Sequence, residues 1–215
     1  LLVMNREQTE AVLLACEPAT GATRTLLVER DAAWLNLEQS VPHWIDGGRA
    51  FLWIAERDDS GPWLERRGAD GELLGRLTPA GLRVAGLLGV DEARGVAWVA
   101  ATDDPTESHV WRAWLRAKRA PERVTRESGL HAMGFTLDAR LRIHTTRPAR
   151  GPARWTVEDA DGRTLAALRS VAEVPEFEPG VEWTVVGPDS LRAFIVRPRD
   201  FDPGRRYPVV DWAYG

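Results

Sequence analysis

One pattern constrains this chain more than any other. A turn carrying Asp with Gly or Ala is followed each time by an apolar, strand-like run. It reads Asp46-Gly47-Gly48-Arg49 before Ala50-Phe51-Leu52-Trp53-Ile54-Ala55, and Asp91-Glu92-Ala93-Arg94-Gly95 before Val96-Ala97-Trp98-Val99-Ala100. A third copy is Asp138-Ala139-Arg140 before Leu141-Arg142-Ile143-His144. Positions 46, 91 and 138 lie 45 and 47 residues apart. A second set of turns falls between them: Glu17-Pro18-Ala19-Thr20-Gly21, Gly68-Ala69-Asp70-Gly71 and Asp159-Ala160-Asp161-Gly162. Asp-Gly between alternating runs is a hairpin signal. A period near 45 with several short strands per unit is the pattern of a β-propeller.

The strands differ in what they imply. Leu141-Arg142-Ile143-His144-Thr145 alternates, as a half-buried strand does. Residues 51–55 are apolar on both faces, as in a strand covered by two layers. Residues 7–16 suit a short helix or an inner strand equally well; no longer helix is expected. About three and a half to four blades fit in residues 1–172. The rhythm then stops. Residues 173–180 include Pro175, Pro179 and Gly180 and read as a linker. Two strands, 181–187 and 191–197, surround a turn at Pro188-Asp189-Ser190, and a third is expected at 207–213. This tail reads as the opening of a second domain.

Composition narrows the partners. With 28 Lys and Arg against 32 Asp and Glu, the formal net charge is −4, and no basic block marks a nucleic-acid face. Cys16 is the single cysteine, so no intrachain disulfide forms. No run approaches the ~20 apolar residues of a membrane-spanning helix. A chain this long buries a large core without metal or cross-links. Neither end reads as a natural terminus: Leu1-Leu2-Val3 is no signal peptide, and the last residues are apolar. The length therefore reads as that of a piece of a longer protein.

The search for chemistry returns little. A hydrolase nucleophile elbow would show as G-x-S-x-G, and none of the serines at 40, 60, 108, 128, 170 and 190 has it. There is no H-E-x-x-H and no P-loop. Asp159-x-Asp161 starts like a calcium loop, but Thr164 and Ser170 stand where Gly and Glu are needed. No cofactor or metal is expected. The four histidines, His43, His109, His131 and His144, are scattered along the chain and read as capping or packing residues. Trp53, Trp98, Trp111, Trp114, Trp155 and Trp183 read as filler between blades. Asp58-Asp59 and Asp103-Asp104 read as solvated turn acids.

Particular stretches resemble a known family. Residues 40–58, from Ser40-Val41-Pro42-His43-Trp44 through Glu56-Arg57-Asp58, resemble the propeller of dipeptidyl-peptidase IV-like enzymes of the prolyl-oligopeptidase family. Gly89-Val90-Asp91 through Gly95, with Asp104-Pro105-Thr106-Glu107-Ser108-His109, is similar to the next blade. Arg206-Tyr207-Pro208-Val209-Val210-Asp211-Trp212-Ala213-Tyr214-Gly215 is similar to the entry into the α/β-hydrolase domain. The chain departs from the family at Asp59-Ser60-Gly61-Pro62-Trp63, where Gly-Trp and a His-Leu-Tyr strand are usual, and near Trp111, where Tyr is common.

The resemblance implies an all-β chain: about half of a propeller of four-stranded antiparallel blades, then the first strands of an α/β-hydrolase domain at 181–215. It implies a parent serine exopeptidase that releases N-terminal Xaa-Pro or Xaa-Ala dipeptides, with a propeller that gates and positions the peptide. The nucleophilic Ser, its Asp and His partners, and the glutamates that hold the substrate amine would lie outside this chain, which is expected to be inactive alone. Tyr214 falls on the family's oxyanion-hole tyrosine. That residue also favours this branch over the acylaminoacyl-peptidase branch, which usually has His there. A non-catalytic propeller that binds protein or glycan is the alternative. An open half-propeller is also expected to associate with a second copy. The location stays open between cytoplasm and periplasm, with the cytoplasm favoured.

Overall fold

The computed structural model describes residues 1–57, 61–116, 119–173 and 175–212. They form two compact units, Leu1–Val171 and Ala172–Gly215. The first is built from four antiparallel sheets whose strands follow chain order. Strands β1 (Leu2–Met4), β2 (Glu10–Cys16) and β3 (Thr23–Arg30) make a three-stranded sheet. The second sheet holds β4 (His43–Ile45), β5 (Ala50–Ala55), β6 (Trp63–Gly68) and β7 (Leu73–Arg76). The third holds β8 (Arg83–Asp91), β9 (Val96–Thr102), β10 (His109–Trp114) and β11 (Glu122–Arg123). The fourth holds β12 (Gly129–Phe135), β13 (Leu141–Pro148), β14 (Arg154–Asp159) and β15 (Thr164–Leu168). These meanders are the blades of a partial β-propeller.

The repeated turns sit where the sequence puts them. Asp46, Asp91 and Asp138 stand between the first and second strands of the second, third and fourth blades. The other turns join the last two strands of a blade: β2 to β3, β6 to β7 and β14 to β15. Gly71 shows why glycine is required at one of them. Its φ is +92°, and a Cβ there would lie 1.8 Å from the carbonyl oxygen of Leu26 in the blade before. The missing side chain lets two blades meet backbone to backbone, and Arg24 donates to the carbonyls of Asp70 and Ala69 beside it. Asp159 is a hairpin residue: its Oδ1 accepts from the backbone N–H groups of Asp161 and Arg163.

Residues apolar on both faces become central strands. Five of the six residues of β5 are buried, and Phe51 and Leu52 are fully so. One apolar cluster runs through the first three blades, from Leu13 and Leu27 through Phe51 and Leu64 to Val84 and Val99. A second joins the third and fourth blades through Trp98, Val110 and Met133, with the Trp98 and Phe135 rings stacked at 4.7 Å. The fourth blade alternates, so only one face is covered. Leu130, Leu141, Ile143 and Leu168 on the other face remain exposed. Residues 10–16 are a strand, which resolves the choice between helix and strand left open by their sequence.

In the second unit, β16 (Val181–Val186) pairs with β17 (Leu191–Val196), setting Trp183 opposite Phe194 with ring centroids 5.5 Å apart. Trp183 is exposed, contrary to its expected packing role. The third strand expected at 207–213 does not form across the described residues 207–212. A strand needs a neighbour for its backbone groups, and none pairs with this run. Tyr207 instead folds back on its own loop, where its hydroxyl accepts from the Asp202 N–H at 3.0 Å.

Candidate functional site

Three arrangements of polar side chains stand out, all in the first unit. The first is buried between the first two blades. Glu29, at the end of β3, accepts from Trp53 Nε1 at 2.8 Å and from Arg57 Nη2. Arg57 also donates through Nη1 to Glu65 Oε1 at 2.8 Å. Glu65, on β6, further accepts from Trp63 Nε1 and from Arg67 Nε, each at 2.8 Å. One guanidinium thus ties two buried carboxylates on adjacent blades. Burial pushes the Glu29 carboxyl above its ordinary range against the pull of Arg57. Glu65 is also raised by burial, but its bonds from Arg57 and Trp63 and the charge of Arg67 outweigh this and hold it below. The difference follows from the bonds: Glu29 Oε2 has no partner, whereas both oxygens of Glu65 do.

The second arrangement corrects a sequence expectation. Three of the four histidines are not scattered in space: His109, His131 and His144 form one row between the third and fourth blades. Only His43, exposed on β4, stands apart. Strand register makes the row: with His131 opposite Thr146 and His144 opposite Met133, β12 and β13 set residues 131 and 144 diagonally on one face, and β10 supplies residue 109. No local motif announces it.

The third is a groove of about 300 Å³ between the second and third blades. Ile54, Leu37, Pro62 and Val84 supply apolar walls, and Asn36, Glu38, Glu56 and Arg83 supply polar groups. Asn36 donates to Glu56 at 3.1 Å, and Glu38 accepts from the Ser40 N–H at 2.9 Å. Carboxylates and a guanidinium around an apolar trough suit the binding of a polar chain. They do not make a nucleophile and base.

Tyr214 lies outside the described residues, as do Asp58 and Asp59. Asp104 takes part in a turn, accepting from the Thr106 N–H at 2.9 Å. Trp53 and Trp98 are buried as expected of blade filler, and Trp63 is buried as well. Trp114 is half-buried, with the guanidinium groups of Arg112 and Arg119 at 5.0 and 4.3 Å from its ring. Among the described residues no group of three or more His, Cys, Asp or Glu could hold a metal ion. No helix among them is long and apolar enough to cross a membrane.

This architecture is found in solved structures. Porphyromonas gingivalis dipeptidyl peptidase 4 superposes with a TM-score of 0.82 at 22% identity, covering 96% of this chain and 30% of that one. A protein described as a dipeptidyl aminopeptidase IV, from Bacteroides ovatus ATCC 8483, superposes with a TM-score of 0.74 at 17% identity, covering 97% and 33%. These likenesses carry the fold, and the chain spans about a third of each protein. At the level of sequence, a family model described as the dipeptidyl peptidase IV N-terminal region matches residues 1–147, more than half of the chain. By that match the chain belongs to the dipeptidyl peptidase IV N-terminal region family.

Proposed function

We propose that this chain is part of a serine exopeptidase that removes Xaa-Pro or Xaa-Ala dipeptides from the free N-termini of peptides. The observation that carries the reading is the family match over residues 1–147, which spans the first three antiparallel blades and the opening strands of the fourth. Both solved relatives carry the name of a dipeptidyl or dipeptidyl-amino peptidase. In this reading residues 1–172 are an arc of the propeller, 173–180 a linker, and 181–215 the first strands of the hydrolase domain. The whole protein supplies the catalytic Ser, Asp and His, since no serine here sits in a nucleophile elbow.

The propeller arc then acts on access and position. Its groove, with Glu38, Glu56 and Arg83 around apolar walls, offers partners for the backbone and termini of a short peptide. Tyr214 adds the one catalytic contribution from this chain. A phenol O–H fixed at the hydrolase entry donates to the oxygen that becomes negative in the tetrahedral intermediate. One such donor is worth about 10²–10³ in rate.

Tyr214→Phe in the whole enzyme tests this assignment. The expected result is a fall in kcat of that size with KM little changed, because the bond is made in the transition state and not in the bound substrate. An unchanged kcat removes Tyr214 from the site.

A further inference from the structure

The row of histidines carries an inference about protons. His109 is fully buried and His131 is 5% exposed; their ring centroids are 5.1 Å apart, and those of His131 and His144 5.2 Å. The row lies on the seam of the third and fourth blades. There Ser108 and Leu130 form a parallel bridge, and the His131 N–H donates to the Ser108 carbonyl at 2.8 Å.

The hydrogen bonds fix the protons on His131 and His144. His131 Nε2 lies 2.7 Å from the backbone oxygen of Glu127. His144 Nδ1 lies 3.0 Å from Oε1 of Glu158, whose other oxygen accepts from Arg142 Nε at 2.8 Å. A carbonyl and a carboxylate accept and do not donate, so each outer nitrogen carries a hydrogen. The inner nitrogens, His131 Nδ1 and His144 Nε2, face each other at 2.9 Å. With no proton between them two lone pairs collide; with two protons, two N–H groups collide. One proton makes a hydrogen bond. The rings then hold three N–H hydrogens and a charge of +1.

We propose that His131 and His144 hold one shared, buried proton as an imidazole–imidazolium pair, making the seam between the third and fourth blades sensitive to pH in both directions. The surrounding charges are accounted for. Glu158 and Arg142 sit beside His144. The Glu127 carboxylate is engaged by Arg154 Nη2 at 2.5 Å. Glu107 and Arg123 both face Nε2 of His109, at 2.7 and 2.6 Å, while Thr125 meets its Nδ1. Thr146 Oγ1 is the longer neighbour of His144 Nε2, at 3.2 Å. Burial, with the neighbouring rings of His144 and His109, holds the His131 imidazole below its ordinary range against the pull of the Glu127 carbonyl and carboxylate.

The direction with pH follows. Two unfolded histidines, each titrating near ~6.5, together hold about one proton at that pH. Above it the native pair binds more protons than the unfolded chain, so stability falls as pH rises. Below it the unfolded chain binds more, so stability falls as pH falls. The unfolding constant passes through a minimum near pH ~6.5 and climbs toward about tenfold per pH unit on either side.

Two measurements on the 215-residue chain test this. Long-range proton–nitrogen spectra of chain labelled with ¹⁵N-histidine should show, at pH 7.5, one pair of rings with both outer nitrogens protonated and both inner nitrogens midway between bare and protonated. Urea unfolding of the chain and of His131→Gln/His144→Gln, from pH 5 to 8.5, should give a ratio of unfolding constants with its minimum near pH ~6.5. Two ordinary neutral rings at pH 7.5, or a ratio flat above pH 6.5, overturns the proposal. If the double variant does not fold, the spectra of the unaltered chain decide alone, since only four histidines contribute.

Discussion

Replacing Arg57 by methionine tests the buried clasp between the first two blades. The change keeps an apolar stem and removes the charge. Glu65 then keeps Arg67 and Trp63 as donors, each at 2.8 Å. Glu29 keeps only Trp53, and its Oε2 has no partner at the outset. The side chains of Glu29 and Glu65 are 5% and 2% exposed, while that of Arg57 is 31% exposed. Removing one partner of a buried ion pair costs about 3–5 kcal/mol, and water reaching the Arg57 position places this case near 3. For a unit of this size that is a fall in Tm of roughly 6–12 °C. The cost belongs to an uncompensated Glu29 charge, so Glu29→Gln in the Arg57→Met background should restore about 1–2 kcal/mol. pH gives a second reading. Burial already raises the Glu29 carboxyl, and without Arg57 it rises further. A native carboxyl titrating above its unfolded value of ~4.3 binds its proton first as pH falls. The variant should therefore recover against the parent as pH falls from 7 toward the unfolded value of ~4.3. Urea unfolding across that range measures this. A cost below about 1 kcal/mol at pH 7, or a gap that neither Gln nor acid narrows, would show that Arg57 does not compensate the Glu29 charge.

Two further outcomes follow from the packing of the blades. Gly71→Ala places a Cβ against the Leu26 carbonyl at a backbone angle that favours glycine, so a loss of more than about 2 kcal/mol is expected in thermal unfolding; a Tm within 2 °C of the parent would contradict the close approach. The uncovered face of the fourth blade, with Leu130, Ile143 and Leu168 exposed, should drive self-association of the 215-residue chain. Light scattering at rising concentration reads this, and a monomer throughout would count against it.

The parts of the fold legible in the sequence are those fixed by neighbours in the chain. Asp46-Gly47-Gly48 and Gly68-Ala69-Asp70-Gly71 are legible because a tight turn needs particular residues at particular angles. The β5 strand is legible because a run apolar on both faces has to be covered twice. The row of histidines was not, because residues 109, 131 and 144 meet only when β10, β12 and β13 come together. The same holds for Glu29 and Arg57, which lie 28 residues apart on different blades. Residues 207–212 show the opposite error: an apolar run reads as a strand, yet only a partner strand makes it one. The groove at Asn36, Glu38, Glu56 and Arg83 was invisible for a like reason, since its walls come from two blades and the segment leading into the second. Tyr214 enters only through the family resemblance and lies outside the described residues.

In the proposed reading this arc of blades belongs to an enzyme that acts on a free peptide N-terminus. The most direct measurement is the hydrolysis of Xaa-Pro and Xaa-Ala chromogenic dipeptides by the whole protein, beside their N-blocked counterparts and beside the 215-residue chain alone. Release is expected by the whole protein from free-amine substrates, with little from blocked ones and none by the chain alone. Turnover by the isolated chain, or no preference of the whole protein for a free amine, would contradict that reading.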